Sequence, residues 1–177
     1  MKINDIITSE PIGYFINNSG FDNQLFKKHD SDSGQDLCVD LLSPIVIYSK
    51  DQKLIIENDH DYDGEDLEVV LPARSRGIFN TRTKVKLPDN HVGLIWDRSG
   101  LAADYGISTA AGCIDAGYIG YIKLVIHNHS DVDFVIKDGY RMAQLLCLPC
   151  NMNRFIEVDS FEETDRGSDG FSSTGLM

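Results

Sequence analysis

Asp115 and Tyr118 lie within Gly112-Cys113-Ile114-Asp115-Ala116-Gly117-Tyr118-Ile119-Gly120, where glycines flank one acid and one aromatic. A carboxylate on a short rigid turn can hold and deprotonate a water in line with an electrophile. The exposed N–H and C=O groups of such a turn can read the polar edge of a flat heterocycle. The apolar run Tyr121-Ile122-Lys123-Leu124-Val125-Ile126-His127-Asn128 follows, which predicts a tight β-hairpin or β-arch with both side chains at its mouth. On this stretch alone the plainer reading is the better one: Asp115 and Gly117 as turn residues, Tyr118 as a core aromatic.

Other stretches carry chemistry of their own. From Glu162 to Gly175 the chain is rich in glycine and hydroxyls, with Arg166 and Phe171. Such a composition predicts a tail that is flexible when nothing is bound. Its functional reading is a lid whose amides and hydroxyls cradle phosphate oxygens, with Arg166 supplying charge and Phe171 a stacking face. Asp59, Asp61, Asp63 and Gly64 copy the opening of an EF-hand loop, but the twelfth position is Val70 instead of a bidentate glutamate. That segment reads as a solvated acidic hairpin. Cys147 and Cys150 have CxxC spacing without a second pair or a following helix, so all four cysteines, with Cys38 and Cys113, read as reduced thiols.

The elements that must position these residues are short strands. Apolar runs recur at Ser33 to Leu41, Ile45 to Tyr48, Leu67 to Leu71, Lys84 to Leu87, Val92 to Trp96, Tyr121 to Asn128, Phe134 to Ile136 and Ala143 to Leu148. Polar turns separate them, which predicts an all-β antiparallel sandwich or barrel. Only Leu101 to Tyr105 reads as a short helical turn. The expected organisation is an amino-terminal extension over 1–33, a β domain over 34–160 with an acidic insertion near 51–68, and a lid over 161–177.

The chain has 177 residues, enough for one domain, and a formal net charge of −12. Such an acidic surface disfavours nucleic acid and anionic lipid, so an anionic substrate must meet a focused arginine site. The first residues lack a secretory pattern, and no apolar run approaches the roughly 18 residues of a membrane span. The expectation is a soluble protein of the cytoplasm, or of the host cell's interior if the chain is viral, with neither nucleic acid nor membrane as partner.

Five segments in order resemble the dUTP pyrophosphatase (dUTPase) family. They are Gly34-Gln35-Asp36-Leu37, Arg98-Ser99-Gly100-Leu101-Ala102, Gly112 to Gly120 with Asn128 closing the strand, Gly139-Tyr140-Arg141-Met142-Ala143-Gln144-Leu145, and Arg166 to Gly175. The resemblance implies a distorted jelly roll (β-clip), a homotrimer with shared active sites, and hydrolysis of dUTP to dUMP and pyrophosphate with Mg2+ on the triphosphate. It further implies Asp115 as the base and Tyr118 under the deoxyribose. Gly112, Cys113 and Ile114, with Lys123, would lie on uracil, and Arg98, Ser99, Gly100 and Gln144 on the phosphates. Arg166, Phe171, Ser172, Ser173 and Thr174 would form the lid. No direct protein ligand to the metal is implied; Asp36 would pair with Arg141 or touch metal-bound water.

Departures from the family pattern bear on phosphate binding. Asp169 and Ser172 replace two lid glycines, Asp97 precedes Arg98, Ile119 stands for an arginine and Tyr140 for an aspartate. Asp97 would partly neutralise Arg98 unless it points away. Two competing readings remain. In a dCTP deaminase, the position aligned with Val125 would be a proton-shuttling glutamate. In a regulatory module built on the same fold, the acidic insertion would meet a protein partner.

Overall fold

Short runs that alternate apolar with polar residues can bury only one face, so they pair into sheets with that face inward. The computed structural model describes residues 13–18, 25–50, 52–57 and 67–167, and among them the chain forms thirteen strands and one helix. Every described strand pairing is antiparallel. This is the all-β antiparallel class that the strand pattern predicts, and it is consistent with the jelly roll that the resemblance implies.

Two sheets carry the core. In the five-stranded sheet the order is β4 (Lys53–Ile56), β3 (Ile45–Tyr48), β6 (Arg76–Asn80), β11 (Lys123–Asn128), β9 (Ile107–Ala110). The four-stranded sheet runs β10 (Cys113–Asp115), β8 (His91–Trp96), β13 (Arg141–Pro149), β2 (Gln35–Cys38). Two-stranded ribbons, β1 (Tyr14–Asn17) with β7 (Thr83–Lys86) and β12 (Phe134–Lys137) with β5 (Glu68–Leu71), complete the set. Leu37, Ile47, Leu71, Phe79, Leu124 and Ile126 are buried in one continuous core. Each such side chain contributes about 1.5–3 kcal/mol by leaving water.

The outer face of the five-stranded sheet is unusual. Register places Ile55, Val46, Ile78, Val125 and Ala110 in one row across all five strands. None of the five is fully buried, and Ile55 is half exposed. The row is apolar along its whole length, with Ile55 and Ala110 exposed.

Several elements exceed their sequence limits. The run expected over Ala143 to Leu148 extends to Arg141–Pro149, and the helix α1 begins at Ser99 (Ser99–Tyr105) instead of Leu101. Helix α1 ends on Gly106 at φ 65°, a left-handed cap that glycine adopts at little cost. Part of the expected extension is tied to the body: β1 pairs with β7, and Phe26 bridges to Asp36. Residues 53–56 of the expected insertion form the sheet-edge strand β4, while the EF-like Asp59, Asp61, Asp63 and Gly64 lie outside the described residues. Among the described residues no helix is long and apolar enough to cross a membrane.

Candidate active site

The second and fourth segments meet because β8 and β13 are neighbours. Gln144 pairs with Trp96 in register, so the chain leaving β8 through Asp97 and Arg98 passes directly beside Gln144. Strand β2 lies on the other side of β13 and pairs Asp36 with Gln144. An open cleft of about 940 Å³ results, lined by Asp36, Arg98, Ser99, Gly100, Arg141 and Gln144 among others. These six, all singled out from sequence, thus share one cleft.

Asp36 organises the charges there. Its Oδ1 lies 3.2 Å from Arg98 Nε and its Oδ2 3.0 Å from Arg141 Nη1. Arg98 Nη1 also donates to the Arg141 carbonyl at 2.7 Å, and Gln144 Nε2 donates to the Asp97 carbonyl at 2.7 Å. A carboxylate between two guanidinium groups fixes both forks while leaving other N–H groups to face the cleft. The Arg141 guanidinium also sits 5.4 Å from the centre of the Phe26 ring.

Asp97 points away from Arg98. Its Oδ1 accepts from the Thr109 backbone N–H at 2.6 Å and from the Thr109 hydroxyl at 2.8 Å. This aspartate ties the end of β8 to β9, so it does not pair with the neighbouring arginine.

The hairpin forms a second group. Strand β10 pairs with β8, Cys113 opposite Leu94 and Asp115 opposite Val92, and alternation sends Ile114 into the core while Cys113 and Asp115 face outward. A Cβ on Gly112 would collide with the Ile95 carbonyl, and Ile95 N–H donates to the Gly112 carbonyl at 2.8 Å, so only glycine permits this approach. The turn closes with Tyr118 N–H donating to the Asp115 carbonyl at 3.0 Å. Tyr118 is no core aromatic: it is 42% exposed, and its hydroxyl donates to the Tyr121 carbonyl at 2.8 Å. Lys123, the first residue of β11, is exposed. At Gly100 and Gly117 a Cβ would meet nothing within 4 Å, so protein packing does not demand glycine there.

Within one chain the two groups stay apart. Asp115 sits level with Val92, six residues before Arg98, which at strand rise is roughly 15–20 Å. Neither Asp115 nor Tyr118 lines the Arg98 cleft.

Arg166 lies in an exposed stretch beyond β13; Phe171, Ser172, Ser173 and Thr174, with Asp169, lie outside the described residues. Sequence reasoning missed Phe26, Lys28, Trp96 and Tyr105, which also line the cleft. Phe26-Lys27-Lys28 carried one signal, an aromatic beside paired cations in an otherwise acidic chain. Magnesium favours one or two carboxylates plus substrate phosphates and retained waters. Among the described residues no three His, Cys, Asp or Glu side chains gather into a metal cage. Asp36, already held by two arginines, fits contact through water and not direct ligation.

Comparison with known proteins supplies the family. A model of the dUTPase family matches residues 53–175. The deoxyuridine 5'-triphosphate nucleotidohydrolase of Candida albicans is 41% identical over 158 residues, which cover 87% of this chain and 97% of that one. Among solved structures, a variant dUTPase of Staphylococcus bacteriophage 80alpha with dUpNHpp superimposes with a TM-score of 0.69 at 21% identity, covering 92% of this chain and 99% of its own. A variant dUTPase from phage phi11 of S. aureus, described with a structural Mg(II) ion, gives 0.61 at 20% identity over 85% of this chain and 99% of its own. With the family model matching more than half of the chain and a 41% identical relative covered over 97% of its length, this chain belongs to the dUTPase family.

Proposed function

We propose that this protein hydrolyses dUTP to dUMP and pyrophosphate, with Asp115 as the base and with each active site completed by a second copy of the chain. The observation that carries the reading is the outward Asp115 carboxylate on a turn whose backbone is pinned to β8 through Gly112. Water held by Asp115 attacks the α-phosphorus and gives its proton to the carboxylate. The new P–O bond forms as the bond to the bridging oxygen breaks, and pyrophosphate leaves. Mg2+ accompanying the triphosphate would neutralise its charge. Arg98, Ser99, Gly100 and Gln144 receive the phosphates, with Asp36 positioning the Arg98 fork.

Uracil is read by Gly112, Cys113, Ile114 and Lys123, chiefly through main-chain groups. Cytosine presents a different donor and acceptor order, which would leave buried polar groups unpaired. Tyr118 lies beneath the deoxyribose and excludes a 2′-hydroxyl by steric conflict. Arg166, Phe171, Ser172, Ser173 and Thr174 close over the nucleotide and exclude bulk water.

Asp115 lies level with Val92, six residues before Arg98 and so roughly 15–20 Å from it by strand rise, which supports a homotrimer with shared sites. The apolar row Ile55, Val46, Ile78, Val125 and Ala110 supplies a face on which copies can meet. Val125 has no titratable group, so its position offers no proton shuttle for deamination. The same reading assigns the work to the cytoplasm, or to the host cell's interior for a viral chain.

Assays of dUTP, dCTP and UTP with and without Mg2+ test the proposal. It predicts pyrophosphate from dUTP, strongly stimulated by the metal, with little from UTP; ammonia from dCTP would overturn it. Truncation after Glu163 is expected to cut turnover without lowering the melting temperature, and an unchanged rate would remove the lid from the account.

A further inference from the structure

At one end of the five-stranded sheet, cations gather on a chain whose net charge is −12. Register puts Lys53, Tyr48, Arg76, His127 and Ser108 in a single row across the five strands, so their side chains share a face. The Arg76 guanidinium lies 4.6 Å from the centre of the Tyr48 ring. An aromatic face orients a guanidinium without cancelling its charge. His127 and His129 stack with centroids 5.5 Å apart, and His129 Nε2 lies 2.7 Å from the Ser108 hydroxyl. Beyond the strand ends, Lys50 and Arg74 join Arg76, His127 and His129 around a groove of about 350 Å³, with Ser49 and Ser75 also on its wall. This groove shares no lining residue with the Arg98 cleft.

We propose that this groove is a second anion site, binding inorganic phosphate or pyrophosphate between Arg76, His127, His129 and Lys50. A planar guanidinium, two imidazoles and a flexible ammonium match the oxygens of a compact polyvalent anion. Among the described residues, the carboxylate paired with this group is Asp131, 2.8 Å from Arg74 Nε, and it offsets that arginine's charge. Arg76 therefore carries the main fork, and Lys50 reaches the second phosphate of a pyrophosphate.

Burial, then His129, then Arg76 hold His127 below the ordinary imidazole range. The titratable and charged groups around the groove with it are Arg76 on the adjacent β6, Tyr48 one strand further on β3, His129 just past the end of its own strand, and Lys50 and Arg74 beyond the strand ends. An arriving anion opposes those cations and favours the imidazolium. Binding therefore takes up a proton and tightens as pH falls.

Histidine ring resonances of the full-length protein, followed while sodium phosphate or sodium pyrophosphate is added against sodium chloride of equal ionic strength, provide the test. The proposal predicts saturable shifts confined to His127 and His129, an upward move of the His127 titration, and tighter binding of pyrophosphate than of phosphate. Arg76→Gln is expected to weaken both anions about tenfold or more while dUTP turnover without added anion stays at the parent level. Lys50→Ala, at an exposed position off the sheet, is expected to weaken pyrophosphate more than phosphate, and it gives an independent reading should Arg76→Gln disturb the fold. Shifts reproduced by chloride, the absence of saturation, or full affinity in Lys50→Ala together with any folded Arg76 variant would overturn the proposal.

Discussion

The Tyr118 hydroxyl donates to the Tyr121 carbonyl at 2.8 Å, which folds the ring back across Gly120 so closely that a Cβ there would collide with it. The aromatic proposed to sense the sugar is thus held by a hydrogen bond on one side and by a missing side chain on the other. Gly120→Ala must displace the ring, whereas Tyr118→Phe keeps its bulk and loses only the anchor.

Sugar selectivity should follow ring placement. Tyr118→Ala and Gly120→Ala are expected to narrow the dUTP-to-UTP ratio of kcat/KM by roughly tenfold or more, and Tyr118→Phe by much less. Competition assays with both nucleotides measure this. Equal selectivity in all three variants would remove Tyr118 from the specificity account.

Stability should carry a signature of Asp138. Burial pushes its carboxyl above the ordinary range, the Leu41 N–H at 2.7 Å opposes this, and nearby Asp40 adds to it. A folded-state pKa above the unfolded one means that ionisation costs folding free energy. The cost is present above the folded pKa and disappears as pH falls below the unfolded one. Asp138→Asn retains an oxygen for Leu41, so it is expected to equal or exceed the parent in stability at pH 7. Its advantage should shrink on acidification, as read by denaturant unfolding at a series of pH values. A penalty at pH 7 that persists in acid would contradict this.

Thiol reactivity should separate the cysteines. Cys38 is fully buried, and desolvation raises its pKa to about 11, so it stays a protonated, enclosed thiol; burial also raises Cys147. Cys113 faces outward on β10. Iodoacetamide is expected to label Cys113 in the native protein and Cys38 only after unfolding. With Cys113 proposed to lie against uracil, a non-hydrolysable dUTP analogue should also slow its labelling. Peptide mapping checks both.

The strands that announced themselves in sequence are those with sustained apolar character. The β8, β11 and β13 runs are continuous enough to identify, and they carry the hairpin and the cleft. Strands β6 (RGIFN) and β9 (ISTA) went unread, because a charged start and small residues give no alternation strong enough to follow. Both exist because β11 pairs with them from either side, a tertiary cause with no local mark. The cleft residues were legible one by one, but the placement of Asp97 was not: its bond to Thr109 depends on β9 lying beside the end of β8. Phe26 and Lys28 reach the cleft through the bridge to Asp36, again a contact between segments that sequence spacing does not encode.

The central claim is that Asp115 from one copy acts on a nucleotide whose phosphates are held by Arg98 of another. Pyrophosphate release should therefore be measured for the parent, for Asp115→Asn, for Arg98→Gln, and for the two variants co-expressed in equal amounts. Each variant alone is expected to lose roughly a hundred- to ten-thousandfold in turnover. Random mixing within closed oligomers leaves about a quarter of the sites with both residues intact, so the co-expressed protein should recover about a quarter of the parent rate. No recovery from well-folded mixed oligomers, or an active Asp115→Asn protein, would contradict the account.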